Sequence, residues 1–431
     1  MKKSFSLCVS AGLFASALLL MLFSFGGCAD SGIGFESLGN GTCAVISCDR
    51  TLTEVTVPEK HRGMTVVAIG DSAFSECRYL SSVTLPDTVT SIGKNAFCSC
   101  SSLTGIELPP RLTSIGESAF IGCTKLESIT LPETVTSLGV SAFSNCKALT
   151  SLVIPDSITE IPGYIFSGCY SLSDVTIPEG VTSVGEKAFF DCRVLKTVKL
   201  PSSLRSIGDN AFIDCTMLDN VGFPAEVEMV GVSVFNNTAL FDNQNFRKNG
   251  MFVVGCWLLA APSDISGDIV IPEGVTKIGQ QAFSGCSGIT SVTVPEGVTY
   301  MGENAFSSCK SLTSVTLPSS LTAIPNHAFS KCASLTSIDL GGAVTIGEYA
   351  LTGCPFLSTV NIPESVNFIN ANAFNSGIGL LCVNFKATEG WRISDTADGS
   401  GGEVSAALIG DPSEAAFMLA GEWNNKYLFR K

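Results

Sequence analysis

Charge is scarce in this chain. Asp, Glu, Lys and Arg together make up 15% of it, and histidine occurs twice, at His61 and His327. No basic run able to neutralise successive phosphates occurs, which excludes nucleic acid as a partner. The formal charge of −14 favours solubility and repels anionic surfaces. No nucleophile motif, phosphate-binding loop or paired Cys-x-x-Cys zinc spacing is present. His61 lies in the N-terminal segment and His327 in a slot that varies freely, so each reads as a solvated surface residue. Glu59, Glu133, Glu179, Glu273 and Glu296 recur in turns and read as solvated loops. Without unlike groups converging on one pocket, neither an enzyme nor a cofactor or metal site is expected. Beyond residue 28 no segment is apolar enough to span a bilayer. Apolar residues nevertheless make up 45%, enough for a large core, which excludes global disorder.

Residues 1–28 read as a targeting segment, with Lys2 and Lys3 ahead of the apolar "LCVSAGLFASALLLMLFSF". Phe25-Gly26-Gly27 then leads into Cys28, which resembles a bacterial lipoprotein processing site, although the pattern prefers an aliphatic residue at Phe25. That resemblance implies a lipid on the Cys28 thiol. An uncleaved membrane anchor is the alternative. Both tether the protein to a membrane and place the following residues outside the cytoplasm, with 29–41 as a tether.

The rest of the chain keeps a beat of 23 residues. Phenylalanine falls at Phe74, Phe97, Phe120, Phe143, Phe166, Phe189, Phe212 and Phe235, resumes at Phe283, Phe306 and Phe329, and closes at Phe374 after a Leu351 one residue early. Such regularity marks a solenoid, whose units bury their apolar sides only against their neighbours. Each unit reads C-x-x-L-x-x-V-x-L-P, then V-x-x-I-G-x-x-A-F-x-x-C. The alternating "SVTLP" is a strand, ended by a proline turn. Ile92, Ala96 and Cys100 stand four apart with Phe97 beside them, a spacing that suits about two helical turns. Gly93, Gly116 and Gly208 share their slot with Pro162 and Pro325, so it does not demand a left-handed backbone. Acids often follow, as at Asp71, Glu117, Glu186, Asp209, Glu303 and Glu348, where a helix N-terminus favours negative charge.

This unit resembles the BspA-type leucine-rich repeat of bacterial surface proteins, over roughly residues 42–430. The resemblance implies an α/β repeat solenoid: a right-handed leucine-rich-repeat coil with a parallel strand face and short helical turns, capped at both ends. It also implies adhesion, through binding of host or matrix proteins at the cell surface. The expected divisions are an N-terminal β cap over 42–69, repeats over 70–240, a β-hairpin insertion over 241–265, repeats over 266–385 and a C-terminal cap over 386–431. In that last cap, "DPSEAAFMLAG" reads as a helix with Asp411 at its start, Pro412 first and Gly421 after its end. "NNKYLFRK" reads as a last strand.

Eleven of the eighteen cysteines recur at one slot: Cys77, Cys100, Cys123, Cys146, Cys169, Cys192, Cys215, Cys286, Cys309, Cys332 and Cys354. Side chains stacked in register about 4.8 Å apart do not converge to the roughly 3.8 Å Cβ separation of a disulfide. They read instead as buried thiols, small apolar residues with weak donors. Whether Cys43 pairs with Cys48, or Cys98 with Cys100, stays open. The phenylalanines read as a continuous core spine. Partners must then be read by the surface. The outward strand positions form a mostly hydroxyl carpet, with Glu107, Asp174, Lys196, Lys199 and Asp339 as candidate contacts. In the insertion, Phe252 and Trp257 are candidates for an exposed hydrophobic contact; a hairpin covering the core is the alternative. A spacer of the cell envelope without a dedicated ligand competes with the adhesin reading.

Overall fold

A computed structural model describes residues 32–375, 379–397, 402–421, 423 and 425–430. The leader and Cys28 lie outside the described residues. Among those residues, no helix is long and apolar enough to cross a membrane.

The chain is a parallel β-solenoid in which each coil contributes two short strands. One ladder runs through Ser82–Thr84, Gly105–Ile106, Ser128–Ile129, Ser151–Val153, Asp174–Thr176 and Thr197–Lys199. Its centre residues, such as Val83, are buried while Ser82 and Thr84 face out, as the alternation requires. At Pro86, Pro109, Pro132 and Pro155 the carbonyl accepts the N–H three residues on, closing the expected turn. A second ladder follows, through Ser91–Ile92, Ser114–Ile115, Ser137–Leu138, Glu160–Ile161, Ser183–Val184 and Ser206–Ile207. It pairs one period apart, Ser91 with Ser114 and Ile92 with Ile115.

The expected helical turns are absent from the described repeats. Between Gly93 and Cys100, alternate N–H groups donate to the neighbouring coil instead of along the chain. Ser72, Phe74 and Glu76 donate to the carbonyls of Lys94, Ala96 and Cys98 at 2.7–2.8 Å, while Ala73, Ser75 and Cys77 close local bonds three residues back. Left-handed residues two before and two after each phenylalanine make this alternation, as at Asn95 (φ 55°) and Ser99 (φ 60°). A helix would use every N–H within itself. Here half of them sew coils together.

The glycine slot is not left-handed, as its sharing with proline implies, and its reason is crowding. A Cβ at Gly139 would lie 2.2 Å from the Glu117 amide nitrogen, and one at Gly116 2.6 Å from the Gly93 carbonyl carbon. Gly139→Ala is therefore expected to destabilise by about 1–3 kcal/mol through overpacking, seen as a lowered midpoint in urea. An unchanged midpoint would refute the close approach. The acids that follow this slot do not sit on helix ends. Asp71 Oδ1 accepts the Lys94 N–H at 2.7 Å and Asp209 Oδ1 accepts the Val232 N–H at 2.9 Å, each across one coil.

Phenylalanine rings stack inside at centroid distances of 4.9–5.9 Å from Phe74 to Phe235. Burying each ring contributes roughly 1.5–3 kcal/mol. The spine is not continuous, however. Phe235 meets Phe252 edge-on at 6.3 Å, and stacking restarts at Phe283 with Phe306 and Phe329.

The hairpin makes this break. Met251–Val254 and Trp257–Ala260 pair antiparallel around Gly255-Cys256, Val254 opposite Trp257, as expected for a two-residue turn. Phe252, Val254 and Trp257 pack into the core of the first half, whereas Met251, Val253 and Leu258 pack into that of the second. A run without polar alternation suits a strand buried on both faces. Trp257–Ala260 then pairs in parallel with Lys277–Ile278 and starts the second half. Among the described residues, no strand pairing joins the hairpin to Met229–Val230, the last rung of the first half. Trp257 Nε1 and Lys277 Nζ instead donate to the Val227 carbonyl, at 3.2 and 2.7 Å. The hairpin is a partition.

At the N-terminal end the expected tether is corrected. Ile33–Gly39 is a strand, antiparallel to Thr42–Cys48, which itself pairs in parallel with Met64–Ile69. At the other end α1 (Ala406–Gly410) precedes α2 (Pro412–Ala420). Asp411 Oδ1 accepts the N–H groups of Ser413 and Glu414, Pro412 opens α2, and Gly421 follows it. Tyr427–Arg430 lies antiparallel on Phe368–Ile369, the last rung of the second ladder.

Candidate partner-binding surface

The three-residue strands of the first ladder place their middle residue inward, so their flanking residues make the outer face. Glu107, Asp174, Lys196, Lys199 and Asp339 are all exposed there. Asp174 opens one strand, and in the next coil Lys196 precedes the strand that Lys199 ends, so these three share one small area. Lys199 Nζ also lies 3.8 Å from Glu179 Oε1 in the preceding turn. Glu107 occupies the same column as Lys199 but four coils earlier, and Asp339 lies beyond the hairpin. The five do not form one site. Val153 and Val270, 63% and 59% exposed, add apolar points to that column.

Phe252 and Trp257 offer no surface to a partner. Both are fully buried, because the hairpin fills the gap between two cores rather than lying on the outside. Hydroxyls bordering the carpet are partly structural. Just before first-ladder strands, Thr150 Oγ1 donates to the Glu127 carbonyl at 3.4 Å and Ser173 Oγ to that of Thr150 at 3.2 Å; Thr313 and Thr336 repeat the arrangement in the second half. Their protons are committed between coils, and only lone pairs face outward.

Turn glutamates are bonded as well as solvated. Glu179 Oε2 accepts the N–H and hydroxyl of Ser202, and Glu296 does the same for Ser319 one period on, all at 2.9–3.0 Å. These N–H bonds hold both carboxyls below the usual glutamate range. The histidines pack on rings, His61 on Phe35 at 4.1 Å and His327 on Tyr349 at 4.9 Å.

The ladder thiols are buried and donate weakly. Cys100, Cys123, Cys146, Cys169, Cys192 and Cys215 each reach the carbonyl of a phenylalanine in the preceding coil, at 3.0–3.3 Å. Burial pushes the Cys100, Cys123, Cys146, Cys169 and Cys192 thiols up, Cys123 to about 12, and Cys354 in the second half to about 11. Of the undecided pairs, Cys43 donates to the Met64 carbonyl and Cys48 to that of Asp49, while Cys98 contacts the Ser99 hydroxyl.

A further column was missed at the level of sequence. Four residues after each spine phenylalanine stand Arg78, Ser101, Thr124, Lys147, Tyr170 and Arg193, on the turn side. Ser101 Oγ donates to the Arg78 carbonyl at 3.5 Å and Thr124 Oγ1 to that of Ser101 at 3.4 Å, which fixes the stacking. The Arg193 guanidinium grips Asp191 through two bonds and lies 4.3 Å from the Tyr170 ring; Lys147 Nζ lies 5.4 Å from the same ring. Reading the fourth slot after each phenylalanine, as the slot itself was read, would have found it.

The family model for the BspA type leucine-rich repeat region, in six copies, matches residues 46–172, 136–252 and 265–380. No curated protein matches the chain. Among solved structures, a leucine-rich cell surface protein from Faecalibacterium prausnitzii A2-165 is 28% identical, with 85% of this chain and 96% of that one covered and a TM-score of 0.46. A leucine-rich repeat protein from Bacteroides ovatus is 27% identical, covering 78% and 94%, with a TM-score of 0.45. One from T. pallidum is 28% identical, covering 49% and 89%, with a TM-score of 0.38. With matched segments over most of its length and a coil for each 23-residue unit, this chain belongs to the BspA-type leucine-rich-repeat family.

Proposed function

We propose that this protein is an extracytoplasmic solenoid, lipid-anchored through Cys28, that binds macromolecular partners at the cell surface through its outer strand face. Membership of a family of bacterial surface repeat proteins supports an interaction or adhesin role. The observation that carries the location is the exposed spot of Asp174, Lys196 and Lys199, with Val153 one coil before Asp174. It combines opposite charges with an apolar point, which gives register and orientation to a protein partner. Glu107 and Asp339 extend the same column as outlying contacts. In this reading the coil is right-handed, and the end strands and the α1–α2 pair shield the open core from water.

The anchor and the face are tested separately. Cys28→Ala is expected to release the protein from the membrane fraction and to abolish metabolic labelling with palmitate. Protease added to intact cells is expected to remove the wild-type protein. Panning the purified protein against matrix and cell-surface proteins should yield saturable binding that Asp174→Lys with Lys199→Glu weakens about tenfold, as lost charge pairs do. Resistance to protease on whole cells, or no saturable partner, would leave the envelope spacer as the function.

A further inference from the structure

We infer that the turn side carries a second binding site, an open groove between Arg78 and Lys147 that takes an acidic oligosaccharide, a sugar chain bearing uronate or sulfate groups. The groove is shallow and open to solvent, offers about 540 Å³ and has the two cations at its ends. They stand three coils apart, about 14 Å at roughly 4.8 Å per rung, so a single small anion does not reach both. Among the described residues neither cation has an ion-pair partner, and no carboxylate lines the groove. In a molecule of charge −14 this is a local reversal of sign. Unpaired cations over an otherwise acidic body select an anion at close range and reject it elsewhere.

The floor decides what sort of anion. Ser99, Ser101, Thr124 and Asn145 line it. The hydroxyl protons of Ser101 and Thr124 are already given to carbonyls of the preceding coil, so these oxygens present acceptors. A sugar supplies a hydroxyl donor on almost every carbon, matched to a row of acceptors between two positive ends. A ring stands next to one end: Tyr79, 68% exposed, follows Arg78 in the chain. Such a face accepts the C–H side of a pyranose ring as apolar surface. Tyr170, beyond Lys147, is covered by Lys147 and Arg193 and serves to hold the lysine. A peptide would want a buried anchor pocket or a free strand edge, and neither is present in the groove. Two free cations are too few for nucleic acid.

This site is independent of the strand face and would stand if that reading failed. Calorimetric titration of the purified full chain with a chondroitin sulfate hexasaccharide should show saturable binding that weakens as salt rises. Chitohexaose, which is neutral, should not bind. Arg78→Ser with Lys147→Ser should lower the affinity for the sulfated sugar about tenfold or more, with an unchanged circular dichroism spectrum because both side chains are exposed. Lys310→Ser, at the same slot in the second half, should leave it unchanged. Equal binding of chitohexaose, or full affinity in the double variant, would overturn the proposal. Binding of hexaglutamate as tight as that of the sulfated sugar would also overturn it, and would assign the groove to acidic peptides.

Discussion

Raising the pH past 9 is expected to unfold the solenoid within about one pH unit. In the unfolded chain a thiol titrates near 8.5. In the folded chain burial holds nine ladder thiols above that value: Cys100, Cys123, Cys146, Cys169, Cys192, Cys286, Cys309, Cys332 and Cys354. Below pH 8 both states keep these protons and the thiols put no slope on stability. Above it the unfolded state sheds them while the folded state retains them, so stability falls as pH rises. Each such thiol removes about 1.4 kcal/mol per pH unit, and nine together about 12 kcal/mol. That matches the entire stability of an ordinary domain, about 5–15 kcal/mol. The loss would slow only as the folded thiols themselves ionise, near 11–12 for Cys354 and Cys123, and by then the fold is gone.

Circular dichroism against pH checks this, with thiolate absorbance recorded on the same samples. The two signals should move together, because ionisation follows opening. Replacing Cys123, Cys146 and Cys169 by valine removes three of the nine groups and should lower the slope by about a third. Valine also fills the slot with apolar volume, so the comparison is read from the pH slope rather than the neutral stability. Stable folding up to pH 11, or thiolate appearing well before structure is lost, would mean that water reaches the ladder.

The period was legible because one large side chain marks every coil, and a slip of one residue at Phe97 or Phe120 would take a ring out of the core. The first ladder was legible from "SVTLP", three residues of clear alternation. Its partner was not, because Ser91–Ile92 and its copies are two residues long and period two needs more. Its serine and isoleucine were absorbed into a four-residue spacing that reads equally as a helix. What separates the two is backbone sign. The slot two after the phenylalanine has positive φ throughout the described repeats; in seven coils it holds Gly122, Asn145, Gly168, Asp191, Asp214, Asn237 and Gly285, residue types that tolerate it, and in four others Glu76, Ser99, Ser308 and Lys331. That composition argues for a turn stack, against a helix. Binding residues are harder to read. Arg78 and Lys147 are three units apart in sequence and become neighbours of one groove only when the coils stack. Trp257 failed in the opposite sense: an aromatic-rich insertion looks the same whether its two faces meet solvent or two cores.

Trp257→Ala is expected to split thermal unfolding into two calorimetric transitions. The indole fills the first core, receives the Lys277 ammonium over its ring at 5.1 Å and hydrogen-bonds Val227 across the seam. Truncating a buried tryptophan costs about 3–5 kcal/mol. In a one-dimensional stack that loss falls on one interface rather than on every repeat. Among the described residues this interface lacks both strand pairing and the turn-side backbone bonds that join Phe143 or Phe212 to the next coil, so side chains carry the coupling. The rungs up to Met229–Val230 should then melt apart from the half that starts at Trp257–Ala260. Phe143→Ala removes a ring of similar value inside the first run, where the N–H groups of Ser141, Phe143 and Asn145 donate to the Gly163, Ile165 and Ser167 carbonyls of the next coil. It should lower the transition without dividing it, since its neighbours remain hydrogen-bonded through. If Trp257→Ala lowers a single transition just as Phe143→Ala does, the seam is no weaker than any other pair of coils and the two cores act as one.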